Sequence, residues 1–221
     1  MRKLILLALA ALFPMVLLAQ GAYAPTTAWP YLYPDFTDGV IYMNDGSKTA
    51  GKLNVHLRAG RLHYLDGDIV KEALPDGITA IFIGEDKYIM VNREAMKVRA
   101  EDRKGCVVTE ILGDFASLNS ASGAYGASGT TLATRKLSSI DTDSQINQSH
   151  MLLLESKHDG AVLPMLEKYF IVTPAVTCLA TKGAVEEAVG SERAAEWKAW
   201  LKSHKVKWRD PESLMQVVEF L

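Results

Sequence analysis

VIYMNDGSKTAGKLNVHL, residues 40 to 57, decides the fold. Val40 to Met43 are β-branched or bulky and read as a strand. Asn44-Asp45-Gly46-Ser47 is a hairpin turn, because Asn, Asp and Gly tolerate positive φ. From Thr49 to Leu57 the chain returns, and Leu53, Val55 and Leu57 alternate with polar neighbours, which gives a strand with one apolar face. The pattern repeats toward the C-terminus. Arg58-Ala59-Gly60-Arg61 and Asp66-Gly67-Asp68 are turns, and Leu62, Tyr64 and Ile69 to Glu72 are strand residues. Ile78 to Ile83 and Lys87 to Val91 flank Gly84-Glu85-Asp86, and Ala95 to Arg99 and Cys106 to Leu112 form another pair. Short strands with a turn every eight to twelve residues predict an antiparallel β-meander or a small barrel.

Upstream, Trp29-Pro30-Tyr31-Leu32-Tyr33-Pro34 alternates proline with large rings. Its prolines forbid a helix, and its rings either pin the N-terminal segment to the body or form an exposed aromatic platform. Met1 to Ala19 carry Arg2 and Lys3 ahead of a charge-free apolar run interrupted by Pro14, the order of a secretory signal. Two cleavage sites compete: Ala22-Tyr23-Ala24 has the small-x-small form but is followed by Pro25, so the expected cut is after Ala19, which makes Gln20 the new N-terminus. The apolar run of 16 residues is short for a membrane span of about 20, and no later stretch of the mature chain is apolar enough to cross a bilayer. The expected destination is outside the cytoplasm: periplasm, cell surface or medium.

Downstream, Ala116 to Thr131 are rich in Ser, Gly and Ala, and the loop reading extends over 116–149. Further strands are expected over 150–180, including Met151 to Glu155 and Lys168 to Val172. Residues 181–221 read as helices. Thr181 can cap the first and Gly190 end it; Ser191 can cap the second; Asp210-Pro211-Glu212 starts the third. The whole is α+β: a signal at 1–19, a β-rich region at 20–115, the loop, the later strands, and the C-terminal helical region.

The 221 residues contain 24 Lys plus Arg and 26 Asp plus Glu, a net charge of −2, with 48% apolar and 23% charged residues. Such a balance excludes a disordered chain and a nucleic-acid binder acting through bulk positive charge. Loss of Arg2 and Lys3 with the signal leaves −4. Cys106 and Cys178 would enter an oxidising compartment. They either pair, closing a loop worth on the order of 4 kcal/mol, or are two buried free thiols.

The runs "DGVIYMNDGSKTAGKLNVHL", "LHYLDGD", "GAYGASGTT" and "WKAWLKSHKVKWRDPESLMQVVEFL" resemble a family of exported proteins from Bacteroidota-type bacteria. The resemblance implies export and the order of hairpins, Ser/Gly loop and helices. It implies no activity and no site residues.

No GxSxG, HExxH, EF-hand loop, GxGxxG or phosphate-loop spacing is present, so no motif calls for a cofactor. One constellation follows from the hairpin. A two-residue tip at Ala59-Gly60 makes paired residues sum to 119, so His56 faces His63 and Arg58 faces Arg61. Asn54 and these four residues would share the face opposite Leu53, Val55 and Leu57. Two histidines lack a third metal ligand, and two arginines repel a cation. His56, Arg58, Arg61 and His63 therefore suggest a small-anion patch, against the alternative of a solvated sheet face. The functional expectation is a non-catalytic binding or interaction module of the cell envelope, with an envelope protein or small anion as partner. A hydrolase-like enzyme with a dispersed site and a structural subunit of an envelope assembly are the alternatives.

Overall fold

The computed structural model describes residues 30–114 and 165–221. The signal segment, its cleavage site, Trp29, the 116–149 loop and the Met151 to Glu155 strand lie outside the described residues.

The architecture is α+β: the described residues form a ten-stranded antiparallel sheet followed by three helices. The strands are β1 Thr37–Met43, β2 Lys48–His56, β3 Arg61–Asp66, β4 Ile69–Glu72, β5 Ile78–Ile83, β6 Asp86–Val91, β7 Glu94–Glu101, β8 Cys106–Gly113, β9 Met165–Val172 and β10 Thr177–Leu179. Their spatial order is β10-β9-β8-β7-β6-β5-β1-β2-β3-β4. The meander is broken once: β5 skips back to lie beside β1, Ile41 opposite Ile81. The sheet is open, with β4 and β10 at its ends, so the small-barrel expectation is not met.

Alternation places Leu53, Val55, Leu62, Ile81, Ile83 and Tyr88 on one face, where they form an apolar core. The sheet curls around it until the β2–β3 turn reaches β7 and β8. There Ala95 N–H donates to Gly60 O at 2.7 Å, and Gly113 N–H to Leu57 O at 2.8 Å. The contact is a seam made by a few bonds, not a ladder that closes a barrel.

Pro30 to Tyr33 lie along the far end of β2. Leu32 N–H donates to Val55 O, Leu57 N–H donates to Pro30 O, and Tyr31 pairs with His56. Tyr31 is 3% exposed, so its ring pins the segment and does not form a platform. Tyr33 Oη donates to Asp86 Oδ2 at 2.6 Å and meets Tyr88 Oη at 2.5 Å, while Lys97 Nζ holds Asp86 Oδ1 at 2.7 Å. Burial, with these partners, raises the Tyr33 hydroxyl pKa far above its usual value, and burial pushes Tyr88 up to about 12. Burial opposes ionisation of Asp86, yet Lys97 and the Tyr33 hydroxyl hold its carboxyl below the usual range.

The helices are α1 Lys182–Val189, α2 Ala194–Ser203 and α3 Pro211–Phe220. Thr181 Oγ1 accepts from Ala184 N, and Gly190 ends α1 at φ +73, as the residue types require. Ser191 does not cap α2: the residue preceding that helix is Arg193, with no side-chain cap. Instead the Arg193 guanidinium reaches Phe220 O at 2.7 Å. Pro211 opens α3. Val185, Trp197, Leu214, Val217 and Val218 seal a second core against Val107 of β8 and Ile171 of β9.

Cys106 and Cys178 are free. Cys106 lies opposite Val172, and Cys178 opposite Ile171. Adjacent strand residues point to opposite faces, so the two thiols lie on opposite faces and two strand spacings, roughly 10 Å, apart. That exceeds what a disulfide spans, and the pairing expectation is set aside. Burial raises both thiol pKa values.

Two outcomes follow. Alkylation of unfolded protein without reductant should label both thiols; no label would contradict the register of β8, β9 and β10. Tyr33→Phe removes both hydroxyl contacts and should cost about 1–3 kcal/mol, read as a lower denaturant midpoint. An unchanged midpoint would mean the hydroxyl network does not hold the N-terminal segment.

Candidate ionisable seam site

The β2–β3 hairpin does not have the two-residue tip expected from its sequence. Paired residues are Leu53–Tyr64, Asn54–His63, Val55–Leu62 and His56–Arg61, so Leu57 to Gly60 form a four-residue turn. The cause is long-range. Leu57 is buried, its N–H is taken by Pro30 O, and its carbonyl is taken by Gly113 N–H across the seam. Gly60 closes the turn at φ +59, and a Cβ there would come within 3.1 Å of Glu94 Cβ. Both conditions favour glycine.

The shift by two separates the four expected residues into three settings. Arg58 projects from the turn, exposed, and its N–H donates to His56 Nδ1 at 3.4 Å. Arg61 faces His56, and its Nη1 donates to Arg93 O at 2.9 Å. His56 and His63 are diagonal neighbours on one face, with ring centroids 5.1 Å apart. They are 5% and 2% exposed, so the solvated-face reading does not describe them. Tyr31 roofs both rings at 5.3 and 5.6 Å, and its hydroxyl is 2.9 Å from His63 Nδ1. Asn54, fully buried beside them, accepts from Tyr33 N and donates to Tyr33 O and Asp35 O.

Neighbouring elements supply acids to this cluster. Glu72, opposite His63 on β4, places one carboxylate oxygen 3.9 Å from Arg61 Nε and the other 3.9 Å from His63 Nε2. Across the seam Glu94 packs on Gly60 and shares a hydrogen bond with Glu110, which is 8% exposed and paired to Lys168 Nζ at 3.0 Å. Burial, then the hydrogen bond and charge of Glu110, push the Glu94 carboxyl up to about 7. Arg61 and Lys168 oppose that rise. Glu72 therefore sets a protein carboxylate beside the Arg61 charge.

Glu94 and Glu110 are not adjacent in sequence, and a search restricted to neighbouring acids misses them. The available signal is Glu110 itself, a carboxylate inside Val107-Val108-Thr109-Glu110-Ile111-Leu112. An acid in so apolar a strand needs a partner. Among the described residues no group of three or more His, Cys, Asp or Glu side chains is arranged to hold a metal ion. Two surface clefts lie elsewhere. One runs between Asp86, Arg99 and Glu101 and the α3 residues Glu212 and Met215; the other is bounded by Arg193, Trp200, His204 and Phe220.

The raised Glu94 pKa has a thermodynamic sign. Between its usual 4.5 and about 7 the folded protein keeps a proton that the unfolded chain releases. The stability gained from it is complete below about 4.5 and is lost as pH rises through about 7. Glu94→Gln, which cannot ionise, should flatten that slope and be more stable than wild type at pH 8 by on the order of 1 kcal/mol, discounted for solvent screening. Thermal melts from pH 4.5 to 8 check it; parallel curves for the two proteins would show that the carboxylates are not coupled.

Comparison of the chain with protein-family models, with curated proteins and with solved structures finds no match to any of them.

Proposed function

We propose that the protein is an exported, non-catalytic interaction module of the cell envelope, and that the outer edge of β4 receives an extended segment of a partner. The observation that carries this reading is the free edge. β4 is bonded to β3 on one side, and no described strand lies on the other. Ala73 N–H donates to Leu62 O, which fixes the parity of the ladder. Residues 69, 71 and 73 turn their main-chain groups toward β3, and Val70 and Glu72 turn theirs outward. Two exposed apolar side chains flank these groups, Ile69 at 63% and Leu74 at 79%. Exposed edges recruit extended chains by strand addition. Ile69–Glu72 contain neither a proline nor a bulge to prevent it.

Export is supported by Arg2-Lys3 and the apolar run to Ala19, and by the resemblance to exported Bacteroidota-type proteins. Among the described residues no helix is long and apolar enough to cross a membrane.

The test places a photo-reactive phenylalanine analogue at Ile69 in cells that make the protein. The exported form should begin at Gln20 by mass and give a discrete cross-linked product. Val70→Pro deletes one outward N–H and leaves the β3 ladder intact, so it should abolish that product without lowering the melting temperature appreciably. An intact Met1 on exported protein overturns the export reading. A product insensitive to Val70→Pro, or none, overturns the edge.

A further inference from the structure

Resting on that edge reading, we infer that the occupant of the β4 edge is a basic, extended segment of a different protein, and not a second copy of this chain. Two observations carry the inference: the charge along the edge and the registers in which the edge could meet itself.

Residues 66 to 76 read DGDIVKEALPD. They hold four acids, Asp66, Asp68, Glu72 and Asp76, against one base, Lys71. Lys71 is already paired with Asp66 across the β3–β4 hairpin. Glu72 is partly balanced by Arg61. Asp68 and Asp76 are exposed. The rim offered to a partner is thus acidic around a short strand that begins with Ile69 and Val70. A cationic segment is attracted to it, and an anionic one is repelled.

Self-pairing is opposed at each register. Outward-facing residues pair with outward-facing residues in an antiparallel ladder, so β4 can meet a second β4 in three ways. Val70 on Val70 brings Glu72 against Asp68 of the other copy, twice. Val70 on Glu72 places Lys71 on Lys71. Glu72 on Glu72 opposes two carboxylates directly. Like charges directly across a ladder destabilise it. A foreign strand with lysine or arginine opposite Glu72, and an apolar residue beside Ile69, meets none of these repulsions. Alternation of basic and apolar residues supplies both at once, because Glu72 and Ile69 lie on opposite faces of β4.

The experiment uses the mature chain and two fluorescent, end-blocked pentapeptides, Lys-Val-Lys-Val-Lys and Glu-Val-Glu-Val-Glu, titrated by polarisation. The basic peptide should bind at least about tenfold more tightly at low salt, and the ratio should approach one in 1 M NaCl as screening shortens to about 3 Å. Asp68→Lys, at an exposed turn position, should shrink the ratio, and Val70→Pro should weaken binding of the basic peptide at least about tenfold. Sedimentation should give the mass of one chain, or of an oligomer unchanged by Val70→Pro. Equal binding of the two peptides overturns the basic-partner inference while leaving the edge reading intact. A dimer that Val70→Pro dissolves overturns the exclusion of a second copy. Failure of both peptides to bind, or binding indifferent to Val70→Pro, overturns the edge reading itself.

Discussion

The main-chain bond from Gly113 N–H to Leu57 O, with its neighbour from Ala95 to Gly60, is the constraint on which the rest of the sheet depends. Leu57 gives its N–H to Pro30 and its carbonyl to Gly113, and it lies beyond the last β2–β3 pair. The turn has four residues, and the pairing is displaced by two from that of a two-residue tip. That shift sets Asn54 opposite His63 and His56 opposite Arg61. It also draws the sheet into a curl tight enough for the apolar faces of β1, β2, β3, β5 and β6 to cover one another. A neutral main-chain bond contributes only about 0.5–1.5 kcal/mol net. Its effect here is geometric, because it selects which buried groups meet.

The seam is also where buried polar groups gather. Tyr31, His56, His63, Asn54 and Glu110 are all under a tenth exposed and belong to one side of the sheet. Buried polar groups are costly unless partnered, and each has contacts drawn from segments distant in sequence. Tyr31 comes from the N-terminal segment, Glu72 from β4, Glu94 from β7 and Lys168 from β9. The seam thus ties the hairpin to both halves of the sheet, and in it the Glu94 carboxyl is pushed up to about 7 by burial and Glu110.

Local structure was readable from the residues, because local rules govern it. Asn44-Asp45-Gly46 makes its hairpin through an Asx contact, Ser47 N–H to Asp45 Oδ1, and positive φ at Gly46. Thr181, Gly190 and Pro211 begin or end helices for stereochemical reasons internal to one turn. What could not be read is where chain segments meet. Turn chemistry announces that β4 ends near Ala73, but not that β5 returns to β1. Nothing in His56 to His63 reports that Pro30 takes the N–H of Leu57 and Gly113 its carbonyl. The expected four-residue site failed to assemble for that reason: Arg58 stays in the turn, and the histidines are sealed beneath Tyr31. The Glu94–Glu110 pair was not legible because it depends on which strand lies alongside.

The pairing of β8 with β9 has a further consequence. The two strands match at eight consecutive positions, from Cys106–Val172 to Gly113–Met165, although 51 residues of chain separate their facing ends. Bringing such distant ends together costs only about 2 kcal/mol more than closing a four-residue turn, since the entropy of closure grows with the logarithm of length. The last pair, Gly113 with Met165, stands where a tight connection would begin. This junction is the natural place to lengthen, shorten or re-terminate the chain, because the ladder on either side is held by its own bonds and by the helices packed behind Val107 and Ile171.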